Sequence, residues 1–464
     1  MKSLTTSGAA VFAERRRRLS ERLQELQVDT QVVLSSGWAR PRNFAHSHFP
    51  FRAESHFLFL VGHHIEGALL VGSVHGKWTL YLEPSDEEVA LWSGPERTLV
   101  EWSVLLALDV RPLSELPRVD YVALPPQDEA TAAWLSSLLD LDVEAQSAPD
   151  LVGDAGCLAQ AMVELRLHKD EAALVQLREV TELSAHAHVL GMRVARTARS
   201  EAEVRAAIEA HFTAHGLANA YTSIVTTRGE ILHSAHSDQL LAPGSLLLCD
   251  AGAESKEGFA ADITRTWPTN GRFSSTQREL YEAVLNVQKR AIAGAVPGVH
   301  FVELHQQAMR DMGDVLLDLG ILKGSVDTCL AVGAVSVFFP HGLGHLLGLD
   351  VHDMEDLGDR AGYDEQSQRS PSPILRYLRL ARVLQPNMVV TIEPGFYQVP
   401  LLLRRAQQDL HVKACIDWQR LSSFQDVRGI RIEDDVLIQG ETPCVLSALA
   451  PKEVAELEAT ISPG

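Results

Sequence analysis

Acidic side chains inside apolar, strand-like segments are the main chemical feature of this sequence. Asp250 lies in Leu-Cys-Asp-Ala-Gly-Ala, and Asp262 follows twelve positions later in Ala-Asp-Ile-Thr-Arg-Thr. Burying an unpaired carboxylate in such a segment would cost several kcal/mol, so an acid placed there needs a partner. We therefore expect both aspartates to face something cationic.

Three residues further along the chain complete a candidate metal site. His345 lies in His-Gly-Leu-Gly-His, Glu393 in Thr-Ile-Glu-Pro-Gly and Glu433 in Arg-Ile-Glu-Asp-Asp. With the two aspartates they make an oxygen-rich set that suits a pair of divalent cations. Each acid taken alone has a surface or salt-bridged position as its alternative. Together, in segments this apolar, they predict a hydrolase in which bound metal ions activate water.

The predicted strands explain how these residues would meet. Asp250 and Asp262 flank a turn that contains Lys256-Glu257-Gly258. Two antiparallel strands joined by this turn would bring both carboxylates to one side, unless an irregular turn shifts the alternation. Glu393 ends a strand at a sharp bend, and Glu433 lies in a strand that alternates apolar and charged residues.

Several histidines lie near these acids in the sequence. His341 and His345 are four positions apart, but two intervening glycines argue against a helix. A glycine-rich strand or loop, approached closely by a ligand, fits better, with His345 as a ligand and His341 as an outer group. His233 and His352 would hold substrate or stabilise a developing oxyanion, and a buried structural histidine is the alternative for each.

The length of 464 residues predicts two domains. Residues 1–158 alternate helices and strands, as an α/β domain does, while residues 159–464 predict an α+β domain with an antiparallel-rich sheet. One long helix is expected from about Gln160 to Val194, with His186 and His188 in solvent. The segments 355–373 and 401–424 have the composition of loops or insertions.

Composition limits the class of protein. Apolar residues make up 46% of the chain, as in ordinary globular proteins, and 41 basic against 61 acidic residues argue against a nucleic-acid binder. Five scattered cysteines without a CxxC pair favour a reducing, cytoplasmic location. The absence of a long apolar run predicts no membrane span. The arginines at positions 15–18 fit the solvent face of a helix over 12–26 better than a targeting patch.

The motifs resemble those of the pita-bread metallopeptidases, in the branch that contains prolidase and aminopeptidase P. The resemblance rests on the segments around the five candidate ligands, on His-Gly-Leu-Gly-His-Leu-Leu-Gly-Leu-Asp-Val-His-Asp, and on the segment 51–62, which is similar to the branch's first domain. It implies a C-terminal pita-bread (creatinase/aminopeptidase) domain behind a smaller α/β N-terminal domain. The N-terminal domain would shape substrate access and contribute to a homodimer.

The resemblance also implies roles for individual residues. Two divalent ions, typically Mn²⁺ with Co²⁺ or Zn²⁺ as alternatives, would be held by the five ligands, with Asp262 and Glu433 bridging both. Glu393 would in addition act as general base, which requires hydrogen-bond reach to the attacking water. The resemblance places the remaining candidates in the substrate site: His233, His341, His352 near the scissile carbonyl, Arg379 and Arg431. In this site, His352 or His341 would stabilise the developing oxyanion.

Prolidase, which cleaves Xaa-Pro dipeptides, is favoured by the segment that ends in Tyr-Leu-Arg379-Leu-Ala-Arg-Val-Leu. It resembles the prolidase segment whose arginine binds the substrate's C-terminal carboxylate, a pairing that the planar guanidinium makes with two hydrogen bonds. A shift of one turn would exchange Arg379 for Arg376 or Arg382, and surface arginines are the plain alternative. Aminopeptidase P, acting on longer peptides, and a catalytically silent binding scaffold are the alternative functions.

Overall fold

The N-terminal part of the chain forms one mixed five-stranded sheet with helices packed on it. The structure is a computed structural model that describes residues 4–44, 47–84, 87–146, 150–234, 236–364 and 367–461. The strands are β1 Gln31–Ser35, β2 Leu69–Gly72, β3 Trp78–Leu82, β4 Asp109–Pro112 and β5 Tyr121–Ala123. The helices are α1 Ala9–Glu25, α2 Ser55–Val61, α3 Glu87–Ser93, α4 Leu99–Leu106 and α5 Glu129–Leu139. The sheet order is β4-β3-β2-β1-β5, and the mixture of elements confirms the predicted α/β class.

The C-terminal part combines small antiparallel sheets with helices around them. Its helices are α6 Gly153–Leu167, α7 Glu171–Ala195, α8 Glu201–Ala214, α9 Ser275–Gly294, α10 Phe301–Asp318, α11 Val326–Ala331, α12 Asp359–Gly362, α13 Pro400–Gln408, α14 Leu410–Ala414, α15 Trp418–Ser422 and α16 Val454–Ile461. Its strands are β6 Ala218–Asn219, β7 Ile224–Thr226, β8 Leu246–Asp250, β9 Ala253–Glu254, β10 Thr264–Pro268, β11 Val389–Ile392, β12 Gly395–Tyr397, β13 Gly429–Arg431, β14 Asp434–Leu437 and β15 Cys444–Val445. The named strand pairs in this part are antiparallel, which confirms the predicted α+β arrangement.

The prediction of a single helix from Gln160 to Val194 is wrong, because the helix is interrupted between α6 and α7. The Asp170 side chain accepts a hydrogen bond from the backbone N–H of Ala173 and so starts α7 as its N-cap. The predicted domain boundary between residues 158 and 159 falls inside α6. That boundary stays a prediction.

The sequence pattern placed the arginines of α1 on its solvent face, and this prediction is wrong for two of them. Arg15 and Arg16 are buried, and Arg16 donates to the backbone carbonyl of Leu60. Arg15 lies 2.7 Å from the Asp170 carboxylate, so it joins α1 to the start of α7. Helical periodicity marks the face of a charged residue, but not the carboxylates and carbonyls that another element brings to it.

Two further expectations about exposure and loops are corrected by tertiary packing. His188 is buried in α7, where its Nε2 pairs with the backbone carbonyl of Ala251 at 2.9 Å. The segment 401–424 is mostly helical, in α13, α14 and α15, and Pro400 occupies the first turn of α13. In the segment 355–373, a short 3₁₀ turn and α12 are followed by irregular chain at the described residues 363–364 and 367–373.

A hydrophobic core cluster joins the two parts of the molecule. Leu58 and Phe59 of α2 belong to the same cluster as Leu174 and Leu177 of α7 and Phe259, which precedes β10. The N-terminal sheet is therefore packed directly on the part that carries the candidate site. Among the described helices, none combines the length and the apolar character that crossing a membrane requires.

Candidate metal centre and active site

All ten site residues expected from the sequence lie around one cavity of about 550 Å³. They come from stretches of chain as distant as β8 and β13, so the fold assembles them. The lining includes Asp250, Asp262, His345, Glu393, Glu433, His233, His341, His352, Arg379 and Arg431. Their positions agree with a shared site, while their individual roles stay predictions.

The two aspartates are brought together by antiparallel strands, as expected. Asp250 ends β8 and lies opposite Thr264 of β10, and Asp262 lies just before β10. The Tyr221 hydroxyl lies 2.6 Å from a carboxylate oxygen of each aspartate. Asp250 and Asp262 therefore face the same point in the cavity although the turn between them is irregular.

The two glutamates and the histidine are held by backbone bonds to neighbouring strands. Glu433 lies in the break between β13 and β14, where its N–H donates to the Thr264 carbonyl at 3.0 Å and its side chain accepts from the Thr264 hydroxyl at 2.6 Å. Glu393 follows β11 and donates its N–H to the Leu343 carbonyl at 2.8 Å. His345 pairs with β11, since the N–H of Thr391 donates to its carbonyl at 2.9 Å.

Gly344 is required by the approach of this loop to β11. A Cβ atom at Gly344 would lie 1.9 Å from the Thr391 carbonyl oxygen, closer than any side chain tolerates. The sequence predicted a close approach at these glycines but attributed it to a ligand. In the structure, the backbone of β11 is what approaches.

The arrangement of donor atoms fits a metal ion. Asp262, His345 and Glu433 each offer a ligand atom, and these atoms lie within 4.8 Å of one another. The Nε2 of His345 is also 3.8 Å from the Glu393 carboxylate. Its Nδ1 bonds to the Leu346 carbonyl at 3.0 Å, which places the ring proton there and leaves the Nε2 lone pair for a cation.

The pKa values of the carboxyl groups also indicate a cation site. Burial, followed by the charge of Asp250, raises the pKa of Asp262 to about 8. Burial also raises the pKa of Glu393 to about 7 and that of Glu433 well above its ordinary value, with Asp262 adding to both shifts. Closely packed acids of this kind resist ionising together unless cations neutralise them. The site is therefore built to hold positive charge.

Arg431 lies behind the acids. Its guanidinium donates to Asp250 at 2.5 Å, to the Tyr397 hydroxyl at 3.1 Å and to the Thr264 hydroxyl at 3.0 Å, and only 4% of the residue is exposed. These contacts orient Asp250. Substrate binding by Arg431 stays a prediction.

Sequence reasoning missed the hydroxyl groups that orient the ligands. Tyr397 lies four positions after Glu393 and Thr264 two positions after Asp262, so both are close to candidate ligands in the sequence but were given no role. Tyr221 lies outside every motif. No local pattern in the sequence announces its contact with Asp250 and Asp262.

The candidate histidines differ in how their ring nitrogens are used. His341 bonds through Nδ1 to the Gly342 carbonyl at 2.8 Å and through Nε2 to the Tyr397 hydroxyl at 2.9 Å. Burial and the charge of Arg431 lower its pKa to about 3, so the ring is neutral. His352 has its Nδ1 3.4 Å from the Glu355 carboxylate, and His233 lies exposed at the cavity. The catalytic roles of His341 and His352 stay predictions.

A cationic wall forms another part of the cavity. Arg379, Arg369 and Arg405 line it, together with Leu401 and Leu402 of α13. Arg379 forms an ion pair with Glu355 at 2.5 Å and keeps 40% of its side chain exposed. The helical segment after residue 400 is therefore part of the cavity wall.

Comparison with known proteins agrees with this geometry. The model of metallopeptidase family M24 matches residues 175–440, and that of the aminopeptidase P N-terminal domain matches residues 12–129. The Xaa-Pro dipeptidase of Homo sapiens is 32% identical over 475 residues, which cover 98% of this chain and 93% of that protein. A probable Xaa-Pro aminopeptidase, pepP, of Talaromyces marneffei is 32% identical, and the alignment covers 96% of this chain and 96% of that protein.

Solved structures of aminopeptidase P share the whole architecture. Aminopeptidase PepP of Pseudomonas aeruginosa superposes with a TM-score of 0.80 at 28% identity, covering 98% of both chains. Aminopeptidase P from E. coli, with the inhibitor Pro-Leu, superposes with a TM-score of 0.78 at 29% identity and covers 98% of this chain and 99% of its own. The chain is therefore a metallopeptidase of family M24, with a pita-bread domain behind an aminopeptidase P N-terminal domain.

Proposed function

We propose that this enzyme is a prolidase, a dipeptidase that hydrolyses the bond before a C-terminal proline. The observation that carries the proposal is the presence of Arg379 in the same cavity as the five candidate metal ligands. Relatives named Xaa-Pro dipeptidase and Xaa-Pro aminopeptidase support cleavage next to proline. Arg379 distinguishes dipeptidase from aminopeptidase activity, because a dipeptide presents a free carboxylate at this arginine and a longer peptide does not.

We propose that Asp250, Asp262, His345, Glu393 and Glu433 hold two divalent cations, Mn²⁺ in the first instance. When bound, the ions supply an activated water and polarise the scissile carbonyl. Glu393 would accept the proton of the attacking water. His352 would donate a hydrogen bond to the carbonyl oxygen as negative charge develops. Burial and the charge of His345 lower the pKa of His352, and Glu355 beside its Nδ1 opposes this shift.

Substrate selection would come from Arg379. Its guanidinium carries five N–H donors in a fixed plane, and the contact with Glu355 uses Nη1. The remaining donors can bind a substrate carboxylate with two hydrogen bonds. Arg405 lines the same wall and adds positive charge to it, while Arg369 beside it is paired with Asp359 at 2.7 Å.

A substrate-length series tests this proposal. We expect Ala-Pro to be hydrolysed efficiently and Ala-Pro-Ala poorly. Arg379→Ala should raise the KM for Ala-Pro about 10–100-fold with a smaller change in kcat, the loss expected when a bidentate ion pair is removed. Arg376→Ala is the matched control, because this neighbouring arginine is exposed and does not line the cavity. Efficient cleavage of Ala-Pro-Ala by the wild type would make the enzyme an aminopeptidase P instead.

Metal removal tests the proposed centre. Chelation should abolish hydrolysis, and reloading with Mn²⁺ should restore it with about two ions per chain, measured by elemental analysis. Co²⁺ and Zn²⁺ in parallel reloadings would identify the preferred ion. A content well below about one ion per chain after loading would favour a silent binding scaffold.

We also propose a cytoplasmic homodimer. The support for a dimer is apolar surface on the N-terminal part, where Leu91, Trp92 and Val104 are 79%, 87% and 78% exposed. Light scattering should then give twice the chain mass of 50.9 kDa. A monomer at micromolar concentration would contradict the proposal.

A further inference from the structure

Glu355 contacts both groups that the proposed function places around the substrate. One oxygen of its carboxylate, Oε2, lies 2.5 Å from Nη1 of Arg379 and 3.4 Å from Nδ1 of His352. Burial opposes ionisation, yet the contacts with His352 and Arg379 lower the pKa of Glu355 to about 2. The residue is thus an anion between two groups that would touch the substrate.

The segment that carries Glu355 is held firmly on both sides. Asp353 is buried and pairs with Arg166 at 2.7 Å and Lys169 at 2.9 Å. Asp356 lies 2.9 Å from His56. These contacts reach α6, the α6–α7 connection and α2, so the turn is anchored to three other parts of the fold. A side chain on such a support has little freedom to move.

Met354 adds a second constraint on the direction of Glu355. Its backbone has a φ of 64°, in the left-handed region, and its side chain is fully buried. A non-glycine residue keeps this conformation only where the surrounding packing enforces it. The turn therefore directs the Glu355 side chain toward Arg379.

The pair of Glu355 and Arg379 lies where two cavities meet. Arg379 and Arg369 line the active-site cavity of about 550 Å³, and both also line a neighbouring cavity of about 760 Å³. Glu355 lines the neighbouring cavity, whose other walls include Arg360 and Tyr363. The ion pair is therefore part of the partition between the space for a dipeptide and an adjoining space large enough for further residues.

We propose that Glu355 is a specificity-determining residue that limits substrates to dipeptides by holding Arg379 across this partition. The inference rests on the proposed function and goes one step further, since it assigns the position of the carboxylate-binding arginine to a second residue. Without Glu355, Arg379 would be free to leave the partition. A tripeptide could then extend beyond its proline into the neighbouring cavity, while a dipeptide would lose its oriented partner.

The test compares kcat/KM for Ala-Pro and Ala-Pro-Ala in Glu355→Ala and Glu355→Gln. We expect Glu355→Ala to shift the ratio toward the tripeptide by at least about tenfold, the scale on which losing one positioned contact changes discrimination. Glu355→Gln keeps an acceptor for Arg379 and should retain most of the dipeptide preference. Any effect through His352 lowers both substrates alike and cancels in the ratio.

Glu279→Ala is the matched control, because Glu279 pairs with Arg420 at 3.4 Å on the surface and lines none of these cavities. It should leave the ratio unchanged. An equal loss for both substrates in Glu355→Ala, in protein with wild-type thermal unfolding, would overturn the inference. Should Glu355→Ala fail to fold, an unchanged ratio in Glu355→Lys, which repels Arg379, would overturn it equally. Failure of the proposed function itself is distinct, since the wild type would then already accept the tripeptide.

Discussion

Hydroxyl groups behind the carboxylates decide where the carboxylates point. Thr264 contacts Glu433, Tyr397 contacts Arg431, and Tyr221 contacts both aspartates. Each contact is buried or nearly so, where a hydrogen bond to a charged group is strong and its loss is not replaced by water. The metal affinity of the site should therefore depend on residues that would not touch the metal.

Tyr221→Phe tests this dependence at the scale of one atom. Removing the hydroxyl leaves Asp250 and Asp262 each without a 2.6 Å contact, and loss of such an orienting partner typically weakens metal binding by about 10–100-fold. Calorimetric titration of the chelated protein with Mn²⁺ would measure the change. Tyr377→Phe, in an exposed residue of the same cavity, should have no effect. Equal Mn²⁺ affinities in the two variants would show that Tyr221 does not support the site.

At the scale of elements, α1 is tied to α7 by one buried ion pair. Arg15 bonds to Asp170 through Nε and Nη2, donates to the Phe59 carbonyl at 3.1 Å, and lies 4.4 Å from the centre of the Phe59 ring. Asp170 is also the N-cap of α7. The Arg15 guanidinium of α1 thus binds the N-cap residue of α7, and this contact joins the two parts of the molecule.

Arg15→Ala should destabilise the protein strongly. The substitution leaves the Asp170 carboxylate largely buried without its cation, at a cost near the lower end of the range for broken buried pairs, about 3 kcal/mol. Urea unfolding would measure it as a lower transition midpoint. Arg17→Ala, two positions further along the same helix, removes an exposed arginine and should change the free energy of unfolding by less than about 0.5 kcal/mol. A loss of similar size in both variants would contradict the assignment.

For the whole molecule, the cleft between the N-terminal part and the site-bearing part holds an ionisable group. Glu54 lines a cavity of about 470 Å³ together with Asp350 and Asp356. Burial raises its pKa to about 7; His56 opposes the shift, and Asp356 and Asp350 add to it. Because the folded state favours the protonated form, the contribution of Glu54 to stability is complete below its unfolded pKa and is lost as the pH rises through about 7.

Glu54→Gln should remove this pH dependence. Relative to the wild type, the variant should gain stability between pH 5 and 8, by up to about 3 kcal/mol for a shift of this size. Urea unfolding at several pH values would give the difference directly. Glu441→Gln, in an exposed residue, should follow the wild type at every pH. A constant difference between Glu54→Gln and the wild type across this range would show that Glu54 titrates normally.

The sequence alone singled out the candidate metal ligands and the strands next to them. Asp250 and Glu393 could be singled out because acids are rare in apolar strands. Local patterns predict strands over 245–251 and 388–393, within one residue of the ends of β8 and β11. Apolar periodicity and capping residues, which are local properties of the chain, predict helices over 201–215, about 277–295 and about 301–319, and these agree with α8, α9 and α10. The convergence of the five candidate ligands on one cavity was expected from chemistry, because a single unpaired carboxylate would not be stable there.

Only the tertiary structure decided which groups support those ligands and which surfaces are covered. Arg15 and His188 look like exposed residues of amphipathic helices, and they are buried because distant elements supply Asp170 and the Ala251 carbonyl. Tyr221 lies 29 and 41 positions from the two aspartates that it contacts, and Glu355 lies 24 positions from Arg379, so no local pattern marks these contacts. Periodicity and motifs describe a residue's own element. Contacts between elements depend on how the whole chain packs.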